Sequence, residues 1–178
     1  MTRFQILVGD ITQSDAEAIV NAADTALLGG GGVDGAIHRA AGPELLAACR
    51  ELHGCETGQA KLTAGYRLKA RYVIHTAGPV WQGGGHGEAA LLASCYRTCL
   101  ALARAHGIRT VDVPSISTGT FGYPLAQAAT VALRAIMEYL AENDLPERVR
   151  MICHTEAAAA VYRQTFNLWF AEDKQSRM

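Results

Sequence analysis

Gly29-Gly30-Gly31-Gly32-Val33-Asp34-Gly35-Ala36-Ile37 decides the reading of this chain. Four consecutive glycines precede a segment able to begin a helix. Glycine has no Cβ, so such a loop can take positive φ and let an anion approach the peptide groups, while the helix N-terminus adds unpaired N–H donors and a favourable dipole. Asp34 falls in the first turn of that helix. A carboxylate there is favoured by the dipole yet lies beside any bound phosphate, so its pKa is pulled in two directions. Gly30, Gly32 and Gly35 formally satisfy the G-x-G-x-x-G dinucleotide fingerprint, but that fingerprint follows its strand directly and needs an acidic residue about 20 positions on, at a strand end. Here the preceding strand-like run, Ala18 to Ala22, ends well before the glycines, and Glu51 falls in a helical stretch. The loop also lacks the Gly-Lys-Ser/Thr of nucleotide triphosphatases.

Outward from the loop, apolar runs alternate with longer helical patterns, which predicts an α/β layer fold. Strands are expected at Phe4 to Val8, Ala18 to Ala22, Ala60 to Ala64, Tyr72 to Ala77, Thr110 to Ile116 and Val149 to Thr155. Helices are expected at His86 to His106, Leu125 to Asn143 and Glu156 to Phe170, with one more after the glycine loop. In such sheets ligands lie beyond the carboxyl ends of the strands. Gly9-Asp10-Ile11-Thr12 follows the first strand, and Ser115 to Pro124 forms a second amide-rich segment running into a helix. Two opposed cradles suit an elongated ligand with a diphosphate centre.

The 178 residues, 49% hydrophobic, can bury one core and are too few for two ordinary domains. Sixteen basic and 17 acidic residues give a net charge of -1, which argues against nucleic acid or an anionic membrane as partner. Arg67, Lys69 and Arg71 read as solvated surface. A short apolar run, Ile6-Leu7-Val8, is no signal sequence, and no apolar stretch reaches the roughly 18 residues of a membrane span, so a cytoplasmic protein is expected. The five cysteines show no paired C-x-x-C hooks, so free thiols are expected and no metal site. His75, inside a strand pattern, is expected to be a hydrogen-bonded structural residue.

With these residues in view the chain resembles a macrodomain of the MacroD type, the class that binds ADP-ribose and reverses ADP-ribosylation. The likeness is carried by Gly9-Asp10-Ile11-Thr12, Val20-Asn21-Ala22-Ala23-Asp24, Gly29 through Gly42, Gly58-Gln59-Ala60-Lys61, Val73 through Pro79 and Ile116 through Pro124. It implies a three-layer α/β/α sandwich around a mixed sheet, one macrodomain over residues 1–171 and a polar tail over 172–178. It implies that Asp10 accepts from the adenine amino group and that Ile11 adds a backbone contact. Gly31, Gly32, Val33 and Asp34 would hold one side of the diphosphate. Ser117, Thr118, Gly119, Thr120, Phe121 and Gly122 would wrap the other, with Phe121 against the distal ribose. Asn21 and Asp24 complete the implied ligand set. Asp34 and Asp24 are the implied catalytic residues, Asp34 handling the attacking water.

The implied activity is hydrolysis of ADP-ribosyl esters, namely O-acetyl-ADP-ribose and mono-ADP-ribosylated acidic side chains of proteins, with no cofactor. The family pattern is usually Asn-Ala-Ala-Asn, and this chain has Asp24 at the second Asn. An amide donates and accepts, whereas an ionised Asp only accepts and adds negative charge near the diphosphate and Asp34. Two alternatives therefore stand beside the enzyme: a reader module that binds ADP-ribose with little turnover, and removal of ADP-ribose linked to nucleic acid or RNA-associated regulation.

Overall fold

The computed structural model describes residues 3–170; residue 171 and the expected polar tail lie outside them. In chain order the elements are β1 (Phe4–Val8), a 3-10 turn (Ile11–Gln13), β2 (Ala18–Ala23), α1 (Gly32–Ala41), α2 (Pro43–Glu51), β3 (Ala60–Ala64), β4 (Tyr72–Ala77), α3 (Glu88–Ala105), β5 (Thr110–Val113), α4 (Leu125–Glu142), β6 (Arg148–Cys153) and α5 (Glu156–Phe170). The six strands form one sheet in the order β1-β6-β5-β2-β4-β3. All neighbours are parallel except β3, which runs antiparallel to β4 and makes the sheet mixed.

Both faces of the sheet are covered, as parallel strands require. Alternation along a strand sends successive side chains to opposite faces. On β2, Ala18 and Val20 join the core that contains the buried residues of α3, α4 and α5, while Ile19 and Ala23 join a second core with Ile37 and Ala41 of α1 and Leu45 and Cys49 of α2. Val73 and Ile74 on β4 divide in the same way. The result is a three-layer α/β/α sandwich.

Strand β2 runs one residue beyond the expected Ala22, and β6 spans Arg148–Cys153 rather than Val149 to Thr155. Three further departures from the sequence expectation have a local reason. Strand β5 stops at Val113 rather than Ile116, because Pro114 has no N–H to extend the ladder. The Tyr96 hydroxyl takes over there, donating to Pro114 O at 2.8 Å and accepting from Ile116 N at 3.0 Å. The single helix expected after the glycine loop is two, broken where Gly42 adopts φ 85° and Pro43 starts a new first turn. Helix α3 begins at Glu88, not His86, because the Glu88 carboxylate accepts from the amides of Gln82, Gly84 and His86 and so holds that stretch as a loop. No helix among the described residues is long and apolar enough to cross a membrane.

Candidate functional site

The loop after β2 carries the first wall. Gly29 and Gly32 take positive φ, 84° and 58°, and Gly31, the N-cap of α1, forms no side-chain cap. Gly35 N donates back to Gly31 O at 3.3 Å, so the amides before it in the first turn have no helical partner. Gly35 must be glycine: a Cβ there would sit 2.3 Å from Gly30 O.

Asp34 turns inward from this turn and is only 5% exposed. Asn21 Nδ2 donates to its Oδ1 at 2.9 Å. His38, one turn on, places Nε2 at 3.4 Å from the same oxygen but makes no hydrogen bond. Burial raises the Asp34 pKa above the ordinary carboxylate value; the Asn21 hydrogen bond and His38 oppose that, and the charge of Asp24 reinforces it.

The opposite wall is the segment after β5. Ser117 holds φ +68°, an unusual conformation for a residue with a side chain, and its Oγ is buried without a hydrogen-bond partner. Tyr123 N donates to Ser117 O at 2.9 Å and Gly122 N to Gly119 O at 3.0 Å, closing the segment on itself. Gly78, just past β4, packs directly beneath: a Cβ there would lie 2.3 Å from Ser117 Oγ and 2.6 Å from Ile116 Cγ2. Trp81 N donates to Phe121 O at 2.8 Å, and the Trp81 ring packs on Tyr123 with centroids 4.6 Å apart.

Between the walls lies a cleft of about 280 Å³. Of the residues expected at the site, Asp24, Gly31, Gly32, Val33, Asp34, Ser117, Gly119, Thr120 and Phe121 line it. Gly30, Ser115 and Ile116, which belong to the two expected cradles, line it too, as do Ala22, Ala23 and Gly78, which were not expected as lining residues. Gly78 carried a signal, a Gly-Pro pair closing a strand, whereas the backbone exposure of Ala22 and Ala23 carries none.

Five expected residues stand outside the lining. Thr118 Oγ1 turns back to bond Ser115 O and Oγ, at 3.1 and 2.8 Å. Gly122, at φ 74°, serves the turn. Asn21 is wholly buried and faces Asp34 and His75 from beneath. Asp10 is exposed and caps the 3-10 turn, its Oδ1 accepting from Thr12 N at 2.9 Å and Oγ1 at 2.7 Å, which lowers its pKa. Ile11, beside it, is buried.

Asp24, the departure from the family pattern, is tied to the backbone. Its Oδ1 accepts from Ala26 N at 3.0 Å and Leu27 N at 3.1 Å, a task an Asn carbonyl performs equally well. No basic side chain lines the cleft, so the groups it offers an anion are amides, hydroxyls and the α1 dipole. Among the described residues no group of three or more His, Cys, Asp or Glu is placed to hold a metal ion, and all five cysteines are free and buried.

Fold and cleft together define an α/β/α sandwich protein with an amide-rich cleft at the carboxyl edge of its sheet. A family model, Macro domain, matches residues 20–132. A macro domain-containing protein of Chlorobaculum tepidum is 61% identical over 87% of this chain and 90% of its own. A Salmonella typhimurium protein named O-acetyl-ADP-ribose deacetylase is 53% identical over 90% of this chain and 92% of its own. Among solved structures, the Oceanobacillus iheyensis macrodomain with ADP superposes with a TM-score of 0.90 at 42% identity, covering 94% of this chain and 91% of that one. The Trypanosoma brucei macrodomain in complex with ADP-ribose superposes with a TM-score of 0.86 at 42% identity, covering 91% of this chain and 68% of that one. The chain belongs to the macro domain family.

Proposed function

We propose that this protein is an ADP-ribosyl ester hydrolase that deacetylates O-acetyl-ADP-ribose and releases mono-ADP-ribose from acidic side chains of proteins. The observation that carries the reading is Asp34: a carboxylate in the first turn of α1, buried, hydrogen-bonded to Asn21 and lining a cleft whose other polar groups are amides, hydroxyls and the Asp24 carboxylate. The Salmonella relatives named as deacetylases and the neighbours holding ADP or ADP-ribose support the substrate class.

In the proposed complex the diphosphate lies between the amides of Gly31, Gly32, Val33 and Asp34 on one side and the Ser117 to Phe121 segment on the other. Adenine extends towards Asp10 and Ile11, and Phe121 packs on the distal ribose. Asp34 accepts a proton from water as the oxygen attacks the ester carbonyl carbon. The bond from that carbon to the ribose oxygen breaks, and the ribose oxygen leaves with a proton, giving ADP-ribose and a carboxylic acid. Asp34 serves as base only when ionised, and the Asn21 hydrogen bond and His38 favour that form against the burial that raises its pKa. No cofactor enters. Free buried thiols fit a reducing compartment, so the cytoplasm is the proposed location.

One observation favours the reader instead. Asp24 places a second acceptor-only group in the cleft and raises the Asp34 pKa further. Incubation with O-acetyl-ADP-ribose and with an automodified mono-ADP-ribosylated acceptor, followed by mass spectrometry, separates the two. Release from either substrate is expected; tight ADP-ribose binding with no release from both would establish the reader.

A further inference from the structure

Beneath Asp34 the core holds a polar chain that the proposed chemistry does not use directly. Asn21 and His75 are partners in the parallel β2·β4 register, and both point to the face covered by α1 and α2, as Ile19, Ala23 and Val73 do. Each is 0% exposed. Thr63 on β3 donates its hydroxyl hydrogen to Ala64 O at 3.0 Å, so its Oγ1 is left to accept from His75 Nε2, 2.9 Å away. Cys49 Sγ, 3.7 Å from Nε2, is a second neighbour on that side. With Thr63 Oγ1 as the nearer acceptor, the imidazole proton is assigned to Nε2 and the lone pair to Nδ1. Asn21 Nδ2, 3.1 Å from Nδ1, must then donate to it, and its second hydrogen goes to Asp34 Oδ1 at 2.9 Å. Burial holds the His75 pKa down at about 3, so the ring is neutral and the chain of donors runs in one direction only.

We propose that His75 is a positioning residue for Asp34: Thr63 fixes its tautomer, the tautomer fixes the Asn21 amide, and the amide aims the carboxylate. The inference rests on the hydrolase reading for its effect on turnover, though not for its effect on Asp34 itself. An apolar residue would pack this face without the desolvation that a buried imidazole and carboxamide incur. Asn21 Oδ1 is left buried with no partner, so the amide is held by its two donated bonds alone. Turned over, it would present a carbonyl oxygen to an ionised carboxylate.

The groups facing Asp34 are His38 on its own helix, Asn21 from the sheet, Asp24 from the loop after β2 and Cys49 from α2; His75 lies behind Asn21 and feels the charge of His38. His38 and Asp24 are common to parent and variants; Cys49 Sγ lies 3.7 Å from His75 Nε2 and loses that contact in His75→Leu, whereas Thr63→Val keeps it.

The test reads the Asp34 carboxyl by ¹³C NMR titration and the His75 ring by ¹⁵N NMR, beside kcat on O-acetyl-ADP-ribose and ADP-ribose affinity by calorimetry. The parent should show the Nε2–H tautomer. His75→Leu should raise the Asp34 midpoint by about one pH unit, the equivalent of one hydrogen bond. It should carry the acid limb of kcat upward with it and leave ADP-ribose affinity within about twofold. His75→Gln, which keeps one acceptor and one donor, should restore most of both. Thr63→Val, which leaves the imidazole in place, should shift the midpoint in the same direction and decides the matter if His75→Leu does not fold. An unchanged Asp34 midpoint in the folded variants, or an Nδ1–H tautomer in the parent, would overturn the proposal. A parent that hydrolyses nothing overturns the hydrolase reading alone, and the titration still judges the relay.

Discussion

Asp24 is the residue at which the proposed hydrolase and the alternative reader can be told apart. Its Oδ1 is engaged by two backbone amides, so Asp24→Asn keeps the loop and changes only the other side-chain atom from acceptor to donor. Removing that charge lowers the Asp34 pKa, because Asp24 is one of the groups that raise it. The expected outcome is higher ADP-ribose affinity, faster turnover or both, with the gain largest at low ionic strength where screening is weak. Calorimetry and rate measurements at several salt concentrations check this; poorer binding together with slower turnover would show that the chain depends on its aspartate. Asp10, outside the cleft lining, tests the proposed adenine end of the ligand. Its exposed carboxylate keeps one oxygen free, and Asp10→Ala should weaken ADP-ribose by about tenfold, the usual loss for a charged hydrogen-bond partner. Unchanged affinity would place adenine elsewhere.

At the scale of elements the cleft depends on two loops that brace one another. Gly78→Ala would drive a methyl into Ser117 Oγ and Ile116 Cγ2, so the Ser117 segment must move. A loss of ADP-ribose affinity of about tenfold is expected, in line with the 1–3 kcal/mol that overpacking costs. An alanine variant that binds as the parent does would show that the segment adapts freely. Glu88 ties down the neighbouring loop through three amides, and those bonds lower its pKa to about 2. Because the folded value lies below the unfolded one of 4.5, its stabilisation is complete above that pH and is lost as pH falls towards 2. The melting temperatures of the parent and of Glu88→Gln should therefore differ most above pH 5 and converge as the solution is acidified. A constant difference across that range would contradict the assignment.

The elements themselves were legible because β2 and β4, buried on both faces, read as short apolar runs, and because the helical spacing on α3 and α4 follows from which face each helix buries. The boundaries were less so. Ile116 looks like a strand residue because it is buried, yet Pro114 ends the ladder two positions earlier, and burial alone cannot reveal where hydrogen bonding stops. The cleft walls were readable from the glycines. The place of Asn21 was not: its motif marked it as a ligand residue, and only the register that sets it beside His75 shows that both of its amide hydrogens are used beneath the site.

For the whole molecule, the two cores fix the sheet between them, and the sheet fixes the distance between the α1 N-terminus and the Ser117 segment. In the proposed complex amides and hydroxyls rather than a cation meet the ligand, so turnover should persist in excess chelator; loss that returns on adding a divalent metal would contradict this. The central claim is that Asp34 handles the water that opens the ester. It is tested most directly by the rate of ADP-ribose release from O-acetyl-ADP-ribose in the parent and in Asp34→Ala, each preparation first shown by calorimetry to bind ADP-ribose. The account predicts a fall of about 10² to 10⁴ in that rate, the contribution of a positioned general base, with most of the affinity retained. An Asp34→Ala protein that binds ADP-ribose and hydrolyses the ester as fast as the parent would contradict it.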